Sequence, residues 1–196
     1  MTAVTPTSFA VPVDEITVAR ARAGDEAALE ALFRSFEAPV YSLARRLTRS
    51  THDAEDVLQE TFLEVVRSIH RFRGDGSLAG GIRKVAVSKA LMKLRRRRGS
   101  AFEETLPEDL SDDDLALGPY GPATSAAERV DLETALGRLS DVARVVIWLH
   151  DVEGYSHDEI AAMAGKTASF SKSQLARAHA RLRELLAPGV REEPCT

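Results

Sequence analysis

Four carboxylates that recur at steps of three and four residues form the clearest chemical pattern in the sequence: Asp53, Asp56, Glu60 and Glu64. On a helix this spacing gathers them on one face. Such an acidic face is either a solvated helix surface or a docking surface for a cationic partner. The apolar residues of the same stretch are predicted to form a buried stripe that comprises Ala54, Val57, Leu58, Thr61, Phe62, Val65, Val66 and Ile69.

A cluster of cations follows, since residues 82–98 contain eight Lys or Arg and no acid. Ile82, Val85, Ala86, Leu91 and Leu94 are interleaved at helical spacing, so a basic amphipathic helix is predicted over about 78–98. Solvated surface helices, membrane-surface helices and calmodulin-binding helices share this composition. A polyanionic partner is favoured, because unopposed cations on about four turns repel one another.

A third pattern lies near the C-terminus. Ser156 and Glu159 have the spacing of a capping box, Gly165 is suited to end that helix, and Thr167 can cap a second helix running to about Leu186. Two helices joined by a tight turn predict a helix-turn-helix, although small helical hairpins are also common in protein cores. The second helix is predicted to point Lys172, Ser173, Gln174, Arg177 and Arg181 outward and Leu175, Ala178, Leu182 and Leu185 inward.

These patterns must be positioned by two small helical domains, so the predicted fold class is all-α. Residues 1–13 are predicted to be a flexible tail, 14–98 an N-terminal helical bundle, 99–126 an acidic flexible linker, 127–187 a helix-turn-helix domain and 188–196 a second tail. Within the bundle, helices are predicted at 16–23 and 27–36, and a separate helix carries Pro39 in its first turn. Trp148 is predicted to lie in the core of the second domain.

Charge is segregated along the chain despite a net charge of −4. Residues 20–99 carry 17 Lys/Arg and 10 Asp/Glu, a net of +7, whereas residues 100–126 carry seven acids and no base. A local positive face attracts phosphates within a Debye length whatever the overall charge. No segment has the composition of a membrane span or a secretory signal, so no membrane insertion and a cytoplasmic location are expected. The single cysteine, Cys195, excludes an internal disulfide.

Taken together, these blocks resemble the extracytoplasmic-function sigma factors, the two-domain class of bacterial transcription initiation factors. The resemblance spans about 26–187 and rests on the order and spacing of several motifs: Leu32-Phe33 through Tyr41, the acidic stretch from Asp53 to Phe62, Phe72-Arg73-Gly74, the stretch from Gly154 to Ala161, Lys172-Ser173 and Arg177-Ala178. It implies an all-helical protein that directs core RNA polymerase to promoters. The implied partners are core polymerase, through its beta-prime clamp helices and beta flap, promoter DNA and an anti-sigma factor.

The resemblance also implies three groups of site residues. The acidic face would dock on the clamp helices of the beta-prime subunit through Asp53, Asp56, Gln59 and Glu60. The segment from 71 to 98 would melt the minus-ten promoter element and hold the single strand and its flipped bases. Its implied DNA-binding residues are Arg71, Arg73, Arg83, Lys84, Ser88, Lys89 and Arg95. The second helix of the helix-turn-helix would contact the minus-thirty-five element in the major groove through Thr167, Ser171, Lys172, Ser173, Gln174, Arg177 and Arg181.

The sequence departs from the family pattern at several positions. Gly81 stands where a tryptophan is common and Ser88 where an asparagine is common, and Gly80-Gly81 is expected to weaken the helix by about 1 kcal/mol per Gly relative to Ala. Ser171 stands where the family often has an apolar residue and Gln174 where it often has a basic one. Because Gln pairs well with adenine and Arg with guanine, a different promoter preference is expected, and Gln174→Arg should change it.

Two other classes of function remain open on the sequence. A helix-turn-helix regulator that never joins polymerase would explain the C-terminal half, but it gives no reason for the acidic stretch. An enzyme is suggested only by His52-Asp53, which is similar to the metal-binding pair of phosphohydrolases. Those enzymes need further His and Asp ligands that the sequence lacks, so neither catalysis nor a cofactor is expected.

Overall fold

The computed structural model describes residues 9–72, 77–98 and 126–186, with side chains of 9–72, 77–97 and 132–186. All regular elements in these ranges are helical, which confirms the predicted all-α class. The chain divides into two compact units, residues 1–104 and 105–196, and the predicted domains 14–98 and 127–187 fall within them. No helix in the described part of the chain combines the length and apolar character needed to cross a bilayer.

The first unit contains α1 (Glu15–Arg22), α2 (Glu26–Thr48), α3 (Thr51–Ser68), a 3-10 turn (Ile69–Arg71) and α4 (Leu78–Arg98). Helices α2, α3 and α4 pack against one another, and α1 lies against α2. Their shared core is apolar and includes the fully buried Phe36, Leu47, Val57, Ile82 and Leu94. Burying each such side chain contributes about 1.5–3 kcal/mol, so this core fixes the orientation of α3 and α4.

Local sequence signals begin each of these helices. The side chains of Asp14, Asp25 and Ser50 accept hydrogen bonds from backbone N–H groups three residues ahead, at 2.7, 3.1 and 3.1 Å. Capping of this kind satisfies one of the N–H groups that a helix start leaves unpaired. The chain breaks between α2 and α3, where Arg49 adopts a left-handed φ of 57°.

Two predictions in this unit were wrong. The helices predicted on either side of Pro39 are one continuous helix, and Pro39 is buried inside it. A proline there removes one backbone hydrogen bond at a cost of about 3 kcal/mol, but Phe36 and Val40 on either side are fully buried and hold the helix together. In addition, the predicted tail already packs at Phe9, whose ring lies 6.4 Å from that of Phe36.

The second unit contains α5 (Ala126–Gly137), α6 (Asp141–Ile147), a π-helical turn (Trp148–Val152), α7 (His157–Ala164) and α8 (Ala168–Leu186). Helix α8 packs against α5, α6 and α7. The predicted capping box of Ser156 and Glu159 is present, and Gly165 ends α7 with a φ of +63°. The Thr167 hydroxyl accepts from Phe170 N at 3.1 Å, as predicted for the start of α8. Trp148 is half-buried rather than part of the core.

Candidate nucleic-acid interface

The acidic face of α3 lies partly against α4 rather than facing solvent. Three ion pairs among the described residues join the two helices: Asp53 with Arg97 at 3.5 Å, Asp56 with Lys93, and Glu64 with Lys89 at 3.8 Å. The residue numbers rise on α3 as they fall on α4, so the helices run antiparallel. We call these three pairs the α3–α4 ladder. It corrects the expectation of an acidic outer face, because the Asp53 side chain is only 18% exposed.

The central pair of the ladder is the most closely coupled. The ammonium of Lys93 donates a hydrogen bond to Asp56 Oδ2, which lowers the pKa of Asp56 and raises the pKa of Lys93. The negative charges of Asp56, Glu60 and Asp53 raise the Lys93 pKa further. Lys93 therefore stays charged at neutral pH, and α3 neutralises it within the unit.

The solvent-facing side of α3 is a different row of residues, which we call the α3 stripe: Glu55, Gln59, Leu63 and Val66. Leu63 is 55% and Val66 50% exposed, and the two polar members are exposed as well. The prediction that Val66 points inward was wrong, and Leu63 was not predicted as a surface residue. These two side chains are exposed because of the way α3 is rotated about its axis against α2 and α4, which only the structure shows. Glu60 is half-buried and lies in the same row of α3 as the three ladder carboxylates, where its charge helps to raise the pKa of Lys93.

Helix α4 presents a polar and cationic row to solvent, which we call the α4 outer face: Lys84, Ser88, Met92 and Arg95, all exposed. Three of these four were predicted as DNA-binding residues, and Met92 was not. Lys89, also predicted to bind DNA, lies on another side of the helix, where it pairs with Glu64. Four-residue steps therefore divide the cations of α4 into an outer set and a set turned toward α3.

The remaining predicted minus-ten residues have varied surroundings. Arg71 is exposed in the 3-10 turn, where its Nε donates to His70 at 3.2 Å. Arg83 is half-buried at the start of α4. Arg73 lies outside the described residues. The two predicted weak points, Gly80 and Gly81, are helical, and the Gly80 N–H is capped by the Ser77 hydroxyl at 3.3 Å.

Helix α8 exposes four of the predicted base- or phosphate-contacting residues, namely Lys172, Ser173, Arg177 and Arg181, and also its cap Thr167. The positions 173, 177 and 181 follow one another at four-residue steps and so share one face. Arg181 also pairs with Glu184 at 3.0 Å. The Lys166 ammonium lies 5.8 Å from the centre of the Phe170 ring, which anchors the turn before this face.

Two predicted contact residues of α8 are instead buried. Ser171 is 1% and Gln174 4% exposed, and both belong to the side of α8 that also buries Leu175 and Ala178. The Ser171 hydroxyl lies 3.0 Å from His157 Nδ1, so it joins α7 to α8. Their burial results from the packing of α8 against α6 and α7. It corrects the outward placement of Gln174 and removes the basis for expecting that residue to set the promoter preference.

A histidine cluster, which was not predicted, surrounds Ser171 and Asp151. The Asp151 carboxylate lies 2.7 Å from His150 Nδ1 and 2.6 Å from His179 Nε2, and His150 stacks on His157 with ring centres 4.5 Å apart. Burial raises the pKa of Asp151, but the hydrogen bonds from both histidines outweigh it and lower the pKa. Burial, His150 and Lys172 lower the pKa of His157. Among the described residues no group of three or more potential ligands has the arrangement of a metal site.

The chain matches two family models in order. Residues 32–100 match the model described as Sigma-70 region 2, and residues 129–182 match the one described as Sigma-70, region 4. The first match covers α3 and α4 and the second covers α7 and most of α8. The two sets of exposed cations therefore lie in two separately matched regions.

Curated relatives include the ECF RNA polymerase sigma factor SigE of Mycolicibacterium smegmatis, with 34% identity over 171 residues, and SigM of Mycobacterium tuberculosis, with 33% identity over 165 residues. Each alignment covers 84% of this chain, but 65% of SigE and 80% of SigM. The chain thus spans slightly less than two thirds of the length of SigE.

Solved structures with a similar fold include two that were determined as complexes with another protein. The sigma factor RpoE in complex with the anti-sigma factor NepR from Bartonella quintana matches with a TM-score of 0.56 and 23% identity, over 80% of this chain and 95% of that one. CnrH in complex with the cytosolic domain of CnrY matches with a TM-score of 0.53 and 24% identity, over 88% and 96%. These likenesses show a shared helical fold.

Proposed function

Because the chain belongs to the extracytoplasmic-function sigma factors of the sigma-70 family, we propose that it binds core RNA polymerase and directs transcription initiation from specific promoters. The observation that carries the proposal is the succession of a region 2 and a region 4 in one chain, each with an exposed cationic helix face. The chemistry of RNA synthesis would reside in the polymerase. The site of action would be the cytoplasm, where polymerase and promoter DNA meet.

The α3 stripe is the proposed docking surface for the clamp helices of the beta-prime subunit. Exposed Leu63 and Val66 form its apolar end, and the polar Glu55 and Gln59 lie on the preceding turns, so the stripe offers both the apolar and the polar contacts of a protein interface. Glu60 is half-buried in the acidic row of α3, and its exposed part can meet a basic partner. Asp53 and Asp56, proposed from the resemblance as docking residues, are turned toward α4 and are better placed to support the surface than to form it.

The α4 outer face is the proposed contact for the single-stranded minus-ten element. Lys84 and Arg95 would neutralise phosphates, and Ser88 can donate to or accept from a base or phosphate. Arg71 and Arg83 are proposed contributors at the ends of this surface. Lys89 is less suited to this role, since its charge is already paired with Glu64.

The exposed face of α8 is the proposed contact for the minus-thirty-five element. Lys172, Ser173, Arg177 and Arg181 can reach base edges or phosphates when α8 lies in the major groove. The Thr167 cap places backbone N–H groups at the start of the helix, where they favour phosphate. We also propose the polymerase beta flap as a partner of this unit. An anti-sigma factor would restrain the free chain, since a sigma factor of similar fold has been co-crystallised with the anti-sigma factor NepR.

A helix-turn-helix regulator that acts without polymerase is the second candidate, and co-purification with core polymerase separates the two. Leu63→Arg should weaken retention of core polymerase at least about tenfold, because it places an uncompensated charge in the apolar part of the interface. Ile16→Arg is the matched control, since Ile16 is a 72% exposed apolar residue on α1, outside the stripe. Failure of the unaltered chain to retain polymerase would favour the regulator. Retention of polymerase by Leu63→Arg equal to that by the unaltered chain would show that the stripe is not part of the interface.

A further inference from the structure

The histidine cluster lies beside the helix that is proposed to contact the minus-thirty-five element. His157 is the first residue of α7, and its Nδ1 lies 3.0 Å from the Ser171 hydroxyl of α8. Lys172, the next residue of α8, is exposed and belongs to the proposed DNA contacts. The cluster therefore borders the surface that would meet DNA, although the proposed function gives none of its histidines a role.

One side of α8 continues this border. Lys172, His179 and Arg183 follow one another at steps of seven and four residues, so they share one side of the helix, and all three are exposed. A recognition helix in the major groove has a phosphate backbone along each side, and the first helix of a helix-turn-helix crosses that backbone. With Ser173 and Arg177 turned toward the groove, this side of α8 and the start of α7 would meet phosphates.

The carboxylate in the cluster is already occupied by two of its histidines. Asp151 lies 2.7 Å from His150 Nδ1 and 2.6 Å from His179 Nε2, and both hydrogen bonds lower the pKa of Asp151 against the effect of burial. His150 also stacks on His157 with ring centres 4.5 Å apart. Two of the three histidines thus share one carboxylate, whereas His157 is bound to a neutral hydroxyl.

Charged and titratable groups face His157 from the three elements around it. The π-helical turn supplies His150 and Asp151, α7 supplies Asp158, and α8 supplies Lys172. Burial, His150 and Lys172 lower the pKa of His157, and together they outweigh Asp158 and Asp151, which raise it. The free chain therefore holds a proton on His157 weakly, and a negative charge brought close to the ring would favour proton uptake.

We propose that His157 is a phosphate contact of the minus-thirty-five element and that it takes up a proton when the chain binds this DNA. Because Ser171 occupies Nδ1, Nε2 is the ring nitrogen left for the phosphate. One proton moves from solvent to the ring, and the imidazolium then donates a hydrogen bond from Nε2 to a phosphate oxygen. This inference rests on the proposed function, and it adds a residue of α7 to the contacts of α8.

Binding of the full-length chain to a fluorescent duplex of mixed sequence tests the proposal, because a phosphate contact does not depend on the bases. At constant ionic strength the affinity should be about fivefold higher at about pH 6 than at about pH 8, since the phosphate favours the protonated ring. His157→Asn should remove most of this difference. His52→Asn is the matched control and should keep it, because His52 is a largely exposed histidine of α3. Lys172→Gln should weaken binding by nearly the same factor at both pH values, since lysine stays charged throughout.

Calorimetry in buffers of different ionisation enthalpy counts the protons that are taken up on binding. Near neutral pH the unaltered chain should take up more protons than His157→Asn, by at most about one per bound chain. Hydrogen exchange of α7 and α8 at each pH verifies that the compared chains are folded, and His157→Gln replaces His157→Asn if the latter fails to fold.

Two results would overturn the phosphate contact: the same pH dependence and proton uptake in His157→Asn as in the unaltered chain, or an equal loss of affinity in this variant at both pH values. A chain that shows the linkage through His157 but retains no core polymerase would refute the proposed function and leave the phosphate contact standing. A chain that retains polymerase without this linkage would do the reverse.

Discussion

The division of α4 into an outer face and a ladder predicts two different salt dependences of DNA binding. Each phosphate neutralised by a side chain on single-stranded DNA contributes about 0.7 to the slope of log K against log salt. Lys84 is exposed on the outer face, so Lys84→Gln should lower the slope by about 0.7. At 0.1 M salt that corresponds to a loss of affinity of about fivefold. Lys89 is already paired with Glu64 and so should neutralise no phosphate, and Lys89→Gln should leave the slope nearly unchanged.

The measurement uses the chain assembled with core polymerase and a fluorescent single-stranded oligonucleotide, titrated at several salt concentrations. Lys84→Gln and Lys89→Gln are a matched pair, since each removes one lysine charge from the same helix. A slope that falls equally in both variants would refute the division of α4 into two charge sets. A fall with Lys89→Gln alone would place the DNA against α3 instead of the outer face.

Two further predictions concern stability, and local hydrogen exchange in the full chain can follow each unit by itself. Gly81→Ala should stabilise the first unit by about 0.5–1 kcal/mol, because a Cβ there meets nothing within 4 Å in a helical backbone. The same change at Gly165, whose φ is +63°, should destabilise the second unit by about 1–2 kcal/mol. Stability changes of the same sign in the two variants would contradict this expectation. The folded structure lowers the pKa of His157 from 6.5. Its contribution to the stability of the second unit is therefore present above about pH 6.5 and is lost as the pH falls through the lowered pKa of the folded state. The second unit should therefore lose stability on acidification, and His157→Asn should reduce that loss; an unchanged pH profile in this variant would exclude His157 as the cause.

Local signals in the sequence were sufficient for the helix starts and for the turn of the helix-turn-helix. The capping box at Ser156 and the glycine at 165 each depend on residues only a few positions apart. The family resemblance, in turn, correctly identified the order of the two regions. The helix starts and the turn depend on hydrogen bonds within one turn or one motif, so a few neighbouring residues are enough to predict them.

Features that depend on packing between helices were not predictable in the same way. Asp56 and Lys93 are 37 residues apart, and no periodicity within α3 indicates which helix its acids face. Gln174 has the composition of a surface residue, yet the packing of α8 against α6 and α7 buries it. Val66 lies near the boundary between the faces of α3, so a small rotation of the helix decides its exposure. Such details follow from tertiary contacts, which override local preference.

Transcription reconstituted from core RNA polymerase, genomic DNA and the full-length chain tests the central proposal most directly, with transcript starts mapped by sequencing. Discrete starts should appear only when the chain is present, and they should be lost with Leu63→Arg but not with Ile16→Arg. Transcripts that do not depend on the chain, while the chain still binds DNA by itself, would contradict the central proposal.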